Sequence, residues 1–65
     1  MYFVVIAKDN NGNEYFVNMI GTLKPQVYPI DEWCRYNDYE DAKNVLNFAR
    51  ENKDLEGYTF VIDQF

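Results

Sequence analysis

The stretch Asn37–Asn52, NDYEDAKNVLNFAREN, decides how the rest of the chain is read, because it is the one segment patterned as an amphipathic helix. Ala42, Val45, Leu46 and Ala49 fall at i, i+3, i+4 and i+7, with Tyr39 one turn earlier on the same side, so one apolar stripe runs down it. A stripe of that kind needs a surface to cover, and the expectation is a single helix laid across a sheet. Asn37 with Glu40 fits a capping box in which Asn is the cap, and Asp38 is the alternative cap one residue on. Acidic Asp38, Glu40 and Asp41 suit the positive end of the helix dipole, and Arg50 and Lys53 the other end. Phe48 departs from the stripe: at ~100° per residue it projects to the side, as either an edge-of-core residue or an exposed contact.

The sheet comes from the flanking segments. Tyr2–Lys8, YFVVIAK, is a continuous β-branched and aromatic run, read as a central strand with apolar groups on both faces. Asp9–Glu14, DNNGNE, contains Asn11-Gly12, the pair that best tolerates positive φ at both centres of a type I′ turn, and Tyr15–Ile20 returns as the second strand. With Asn11-Gly12 as a two-residue loop, Ile6 lies opposite Val17 and Val4 opposite Met19, while Ala7 meets Phe16 and Phe3 meets Ile20. Both faces are then apolar, and one helix covers only one of them. Gly21–Ile30 carries both prolines yet holds Leu23, Val27, Tyr28 and Ile30, so it is expected to fold back over the open face or its edge. Trp33–Tyr36 reads as a short strand feeding the helix. Tyr58–Phe65 reads as a last strand beside the first, with Tyr58, Phe60 and Ile62 on one face, its direction open between a parallel crossover and an antiparallel pairing. The fold class is α+β: a single domain over residues 1–65 with one helix on a three- to four-stranded sheet.

Length and composition bound the function. A chain of 65 residues buries only about 60% of its unfolded surface, so its core is thin. Yet 48% of the residues are apolar and 18% aromatic, which points to a partner or a second copy. The formal charge of −5 opposes direct contact with nucleic acid, whose affinity comes from Lys and Arg, and suits attraction to a basic groove on another protein. MYFVVIA is too short and lacks the basic start of a signal peptide, and no apolar run approaches the ~20 residues a membrane span needs. A cytoplasmic location away from membranes is the expectation.

Catalytic hardware is scarce. The chain has no histidine and no serine, and Cys34 is its lone thiol, with no disulfide partner and no evident activating base. Its three glycines form no phosphate-cradling loop, and the usual zinc sets are missing. Asp9–Glu14 faintly resembles a calcium loop but lacks the twelve-residue span, and a hairpin turn explains the same residues. No enzyme activity, cofactor or metal is expected, and Cys34 is read as a small buried hydrophobe.

The densest constellation is acidic and aromatic together. Asp31, Glu32, Asp38, Glu40 and Asp41 are interleaved with Trp33, Tyr36 and Tyr39 against a single Arg35. Carboxylates along a ridge imitate a phosphate backbone, and aromatics anchor interfaces; equally, the acids serve a helix N-terminus while Trp33 and Tyr36 pack inside. The order of hairpin MYFVVIAKDNNGNEYFV, aromatic stretch and helix WCRYNDYEDAKNVLNFA, and closing strand YTFVIDQF resembles small proteins encoded by bacteriophages and mobile elements. That resemblance implies an inhibitor of host defence or DNA transactions, of the anti-CRISPR or acidic DNA-mimic kind that blocks uracil-DNA glycosylase. The expected partner is a host protein such as a nucleic-acid-binding effector, met through Asp31, Glu32, Trp33, Tyr36, Asp38, Glu40, Asp41 and Phe48. The alternative is a homodimer joined through a second sheet face of Phe3, Val5, Phe16 and Ile20.

Overall fold

The β-branched run near the N-terminus becomes strand β1 (Phe3–Lys8), in which Val4, Val5, Ile6 and Ala7 are all buried, as a strand covered on both faces must be. The computed structural model describes residues 1–65. After β1 come β2 (Glu14–Val17), β3 (Leu23–Lys24), a 3₁₀ turn at Glu32–Cys34, helix α1 (Tyr39–Glu51), a second 3₁₀ turn at Lys53–Leu55 and β4 (Thr59–Gln64). The four strands form one sheet in the order β3-β2-β1-β4, every pairing antiparallel. One helix on an antiparallel sheet is the α+β arrangement expected, and the direction of the last strand is settled as antiparallel.

The first hairpin differs from expectation by one residue of register. Ile6 lies opposite Phe16 and Ala7 opposite Tyr15. The cause is the turn. Gly12 has φ 86 and no non-glycine residue in the chain has positive φ, so Asn11 does not meet the requirement of a type I′ loop. Instead the Gly12 N–H donates to the Asp9 carbonyl at 3.1 Å, the Asp9 N–H donates to the Asn13 carbonyl at 2.9 Å, and Asp9 Oδ1 accepts the N–H groups of Asn11 and Asn13, both at 2.9 Å. The loop is a turn followed by a left-handed glycine, one residue longer in its effect on the ladder. A slip of one exchanges the faces of the returning strand. Phe16 therefore joins Val4 and Ile6, and Val17 joins Val5 and Ala7.

Each face then acquires its own cover. Ala42, Leu46 and Ala49 of α1 pack on Val5, Ala7, Val17 and Phe60, with Tyr36 at the same level. Ile30 and Cys34 close over Val4, Ile6 and Phe16 on the other side. The proline-bearing loop does fold back as expected: Leu23–Lys24 pairs with Phe16 and Val17 at the edge, and Ile30 is buried. In β4 the alternation also holds, with Phe60 buried and Tyr58 and Ile62 half-buried against the helix side.

Two local expectations are corrected. The short strand over Trp33–Tyr36 is absent, because Asp31 Oδ1 accepts the Trp33 N–H at 2.9 Å and starts a 3₁₀ turn over Glu32–Cys34. Only Tyr36 reaches the sheet: the Phe3 N–H donates to its carbonyl at 2.7 Å and its N–H donates back at 2.8 Å, filling the ladder position that β2 vacates. The helix begins one residue later than a box capped by Asn37 requires, since Asp38 is still extended at φ −111 and ψ 140 and is itself the cap residue. It makes no side-chain cap hydrogen bond.

Candidate functional site

The strand expected over Tyr15–Ile20 stops at Val17, and the residues it loses define the most distinctive surface of the molecule. Asn18 starts a turn with the same hydrogen bonds as the Asp9 turn. Its N–H donates to the Thr22 carbonyl at 3.0 Å, the Gly21 N–H donates to the Asn18 carbonyl at 2.9 Å, and Asn18 Oδ1 accepts the N–H groups of Ile20 at 3.2 Å and Thr22 at 2.9 Å. Gly21, with φ 82, occupies the place of Gly12. A sequence signal exists: a residue of the Asp/Asn type followed three positions later by Gly occurs at Asp9–Gly12, at Asn18–Gly21 and at Asp54–Gly57, and the first two form this turn while the third begins in the 3₁₀ turn after the helix. Sequence reasoning missed it because the second copy carries Met19 and Ile20 at its centre, which read as strand.

Those two central positions are where the turns differ. Asn10 and Asn11 are ordinary solvent-facing turn residues, whereas Met19 is 47% and Ile20 73% exposed. Backbone geometry alone requires nothing apolar there. The turn is held from both sides: the Met19 N–H donates to the Trp33 carbonyl at 3.1 Å, and the Phe48 ring rests on Gly21, 3.2 Å from where a β-carbon would lie. Beneath it the Tyr36 hydroxyl donates to the Val17 carbonyl at 2.8 Å. Met19 and Ile20 thus sit between Trp33 and Phe48, both 60% exposed. Met19 borders three shallow grooves, one lined by Tyr2, Glu32, Trp33 and Arg35, a second by Ile20, Asn44, Val45 and Phe48, and a third by Tyr36, Asp41, Asn44 and Val45. Glu32 and Asp41 stand at the margins of this patch. Arg35 lies with its guanidinium 5.5 Å from the Tyr2 ring centroid.

The residues expected at a partner surface divide accordingly. Trp33, Phe48, Glu32 and Asp41 border the Met19 patch, which settles Phe48 as exposed. Asp38 and Glu40 are exposed at the start of α1 and line none of these grooves, and the Asp31 carboxylate is engaged in capping the 3₁₀ turn. Tyr36 is a correction: it is buried in the core, hydrogen-bonded through its hydroxyl, and reaches the surface only as a small part of the groove it shares with Met19 and Asp41. The Phe3, Val5, Phe16 and Ile20 face is also corrected. The helix lies on the Val5 side of the sheet with Phe3 against it, the register slip puts Phe16 under Ile30 and Cys34, and the Asn18 turn carries Ile20 outside the sheet altogether.

Electrostatics agree with these roles. Burial pushes the Cys34 thiol up, Asp31 adding to the effect and Lys24 opposing it, so a buried neutral thiol packs in the second core. Burial, with Cys34 nearby, drives the Tyr36 hydroxyl far above the ordinary tyrosine range, and it stays a hydrogen-bond donor. Asp9 spends Oδ1 on two backbone N–H groups and Oδ2 on the Asn13 side chain at 3.1 Å, which is turn chemistry. No helix is long and apolar enough to cross a membrane. No family model, curated protein or solved structure matches this chain.

Proposed function

We propose that this protein is a non-enzymatic inhibitor that occupies a basic groove on a partner protein. The partner is read as a host defence or nucleic-acid-processing protein. The turn Asn18–Thr22 provides the apolar anchor, flanked by Trp33 and Phe48, and Glu32 and Asp41 provide charge at its margin. The observation that carries this reading is the pair of identically bonded turns. One exposes Asn10 and Asn11 and the other exposes Met19 and Ile20, an apolar tip that the hydrogen bonding of the turn does not require. Exposed aromatic and methionine side chains with a charged rim are the usual make-up of an interface centre, and a formal charge of −5 favours a basic counterpart.

The test is a tip exchange. Immobilised protein retains a partner from bacterial lysate, and Met19→Asn/Ile20→Asn reduces that retention at least about tenfold while leaving the unfolding midpoint nearly unchanged. Glu32→Lys/Asp41→Lys lowers it further, rising salt elutes the partner, and duplex DNA competes for it. Equal retention by the tip-exchange and charge-reversed variants overturns the proposal.

A further inference from the structure

The two edges of the sheet are finished differently. β3 is only two residues long, contains Lys24 and runs into Pro25, devices that blunt an edge against further pairing. β4 is six residues, TFVIDQ, with neither Lys nor Pro, and its ladder with β1 runs without a bulge from Phe3 opposite Gln64 to Lys8 opposite Thr59. The hydrogen-bonding phase is set by Tyr2 and Phe65, whose N–H groups donate to each other's carbonyls at 2.9 and 2.8 Å. Alternation along an antiparallel pair then turns the backbone groups of Phe60 and Ile62 away from β1, toward the open edge. The Gln64 N–H, next in that row, is covered by Asp63 Oδ1 at 2.8 Å.

Beside this edge runs a groove whose helix wall includes Lys43, Leu46 and Arg50 and whose strand wall is Phe60, Val61 and Ile62. No carboxylate lines it, on a chain whose formal charge is −5. Lys43 and Arg50 are seven positions apart on α1, which returns them to nearly the same side of the helix, ~10 Å apart along its axis. Of the acidic residues of α1, Asp41 projects to the far flank, while Glu40 and Glu51 project to the solvent-facing side between the two flanks and do not line the groove.

We propose that the β4 edge and the Lys43–Arg50 flank together form a second binding surface, which takes an extended peptide segment as a fifth strand. Its backbone pairs with Phe60 and Ile62, and carboxylates on its helix-facing alternate residues meet Lys43 and Arg50. Val61, 58% exposed on the sheet's other face, gives an apolar contact for the intervening residues. A second copy of this chain is the poorer occupant. Antiparallel pairing of two β4 edges places both helices on the same side of the joined sheet, with Lys43 and Arg50 facing their own copies across the seam.

The probe is a capped nonapeptide alternating Glu and Val, followed by amide shifts of the ¹⁵N-labelled protein. Saturable shifts centred on Phe60, Ile62 and Lys43, and at least about tenfold weaker binding to Lys43→Glu/Arg50→Glu, are the expected results. The Lys43→Gln/Arg50→Gln variant, which removes charge without reversing it, lies between. N-methylation of the peptide's edge-facing amides abolishes binding, and Met19→Asn/Ile20→Asn leaves it unchanged. Three results overturn the proposal: a lysine-valine peptide binding as well, an N-methylated peptide binding as well, or no saturable shift at β4. Concentration-dependent dimerisation with the Phe60 and Ile62 amides protected, in the absence of peptide, assigns the edge to a second copy and overturns it also.

Discussion

The turns Asp9–Asn13 and Asn18–Thr22 make the same backbone and side-chain-to-backbone hydrogen bonds and end on the same left-handed glycine, yet they serve different ends. The first stands clear of the body, and a β-carbon on Gly12 would meet nothing within 4 Å. The second is pressed between the Trp33 segment and Phe48, with its Asn18 buried. Because the bonding is common to both, whatever differs between them reports something other than turn formation. The difference is the apolar tip and the packing that holds it in place.

Glycine replacement breaks the comparison most sharply. Gly12→Ala meets only the cost of a left-handed backbone, about 1 kcal/mol in urea unfolding. Gly21→Ala meets that cost and the Phe48 ring as well, and is expected to lose about 2–3 kcal/mol. Adding Phe48→Ala to Gly21→Ala returns the excess; if the double variant is no more stable than additivity predicts, the ring is not what distinguishes the two glycines.

Loss of the turn-starting side chain has a smaller effect. Asn18→Ala leaves the Ile20 and Thr22 N–H groups without their acceptor in a part-buried setting and costs about 1–2 kcal/mol. Asp9→Ala removes equivalent bonds in the open and costs less, which the same unfolding measurement ranks directly.

Acid separates the turns with the least disturbance. Desolvation works to raise the Asp9 carboxyl, but the N–H donors of Asn13, Asn11 and Gly12 together hold it below its ordinary value of 3.8. A lowered folded-state pKa means that the turn's extra stability is present above that ordinary value and is lost as pH falls through the folded one. On titration into acid the Asn11 and Asn13 amide signals move, while those of Ile20 and Thr22, held by an uncharged amide, stay in place. Parallel movement of both sets would show a general loosening of the sheet instead.

How much was legible in the chain follows from how local each signal is. The helix stripe of Ala42, Leu46 and Ala49, the unbroken run of β1 and the alternation of Phe60 and Ile62 are each readable from neighbours in sequence. The fold-back of the loop to Ile30 was readable too, as apolar residues with no strand or helix of their own to occupy. The register was not, because it turned on whether Asn11 or only Gly12 takes a positive φ. From that one residue follows the face of Phe16, while the second turn at Asn18–Gly21 releases Met19 and Ile20, and the seat of the helix on the Val5 side covers the rest of the four-residue dimer face. In the candidate patch, Glu32, Trp33, Asp41 and Phe48 are of residue types whose exposure a sequence suggests, whereas the burial of Tyr36 and the exposure of Met19 and Ile20 depend on contacts distant along the chain.

The sequence by itself determined the α+β class, the antiparallel first hairpin, the central place of β1 and the shortage of reactive side chains, since each rests on periodicity or composition. Only the tertiary structure decided which aromatic rings are hidden and which are offered. Trp33 and Tyr36 lie three residues apart with similar chemistry, yet one carbonyl, that of Val17, and one bridge to Phe3 draw Tyr36 inward, while the 3₁₀ turn begun by Asp31 leaves Trp33 outside. Those partners are distant along the chain, and no local pattern encodes them.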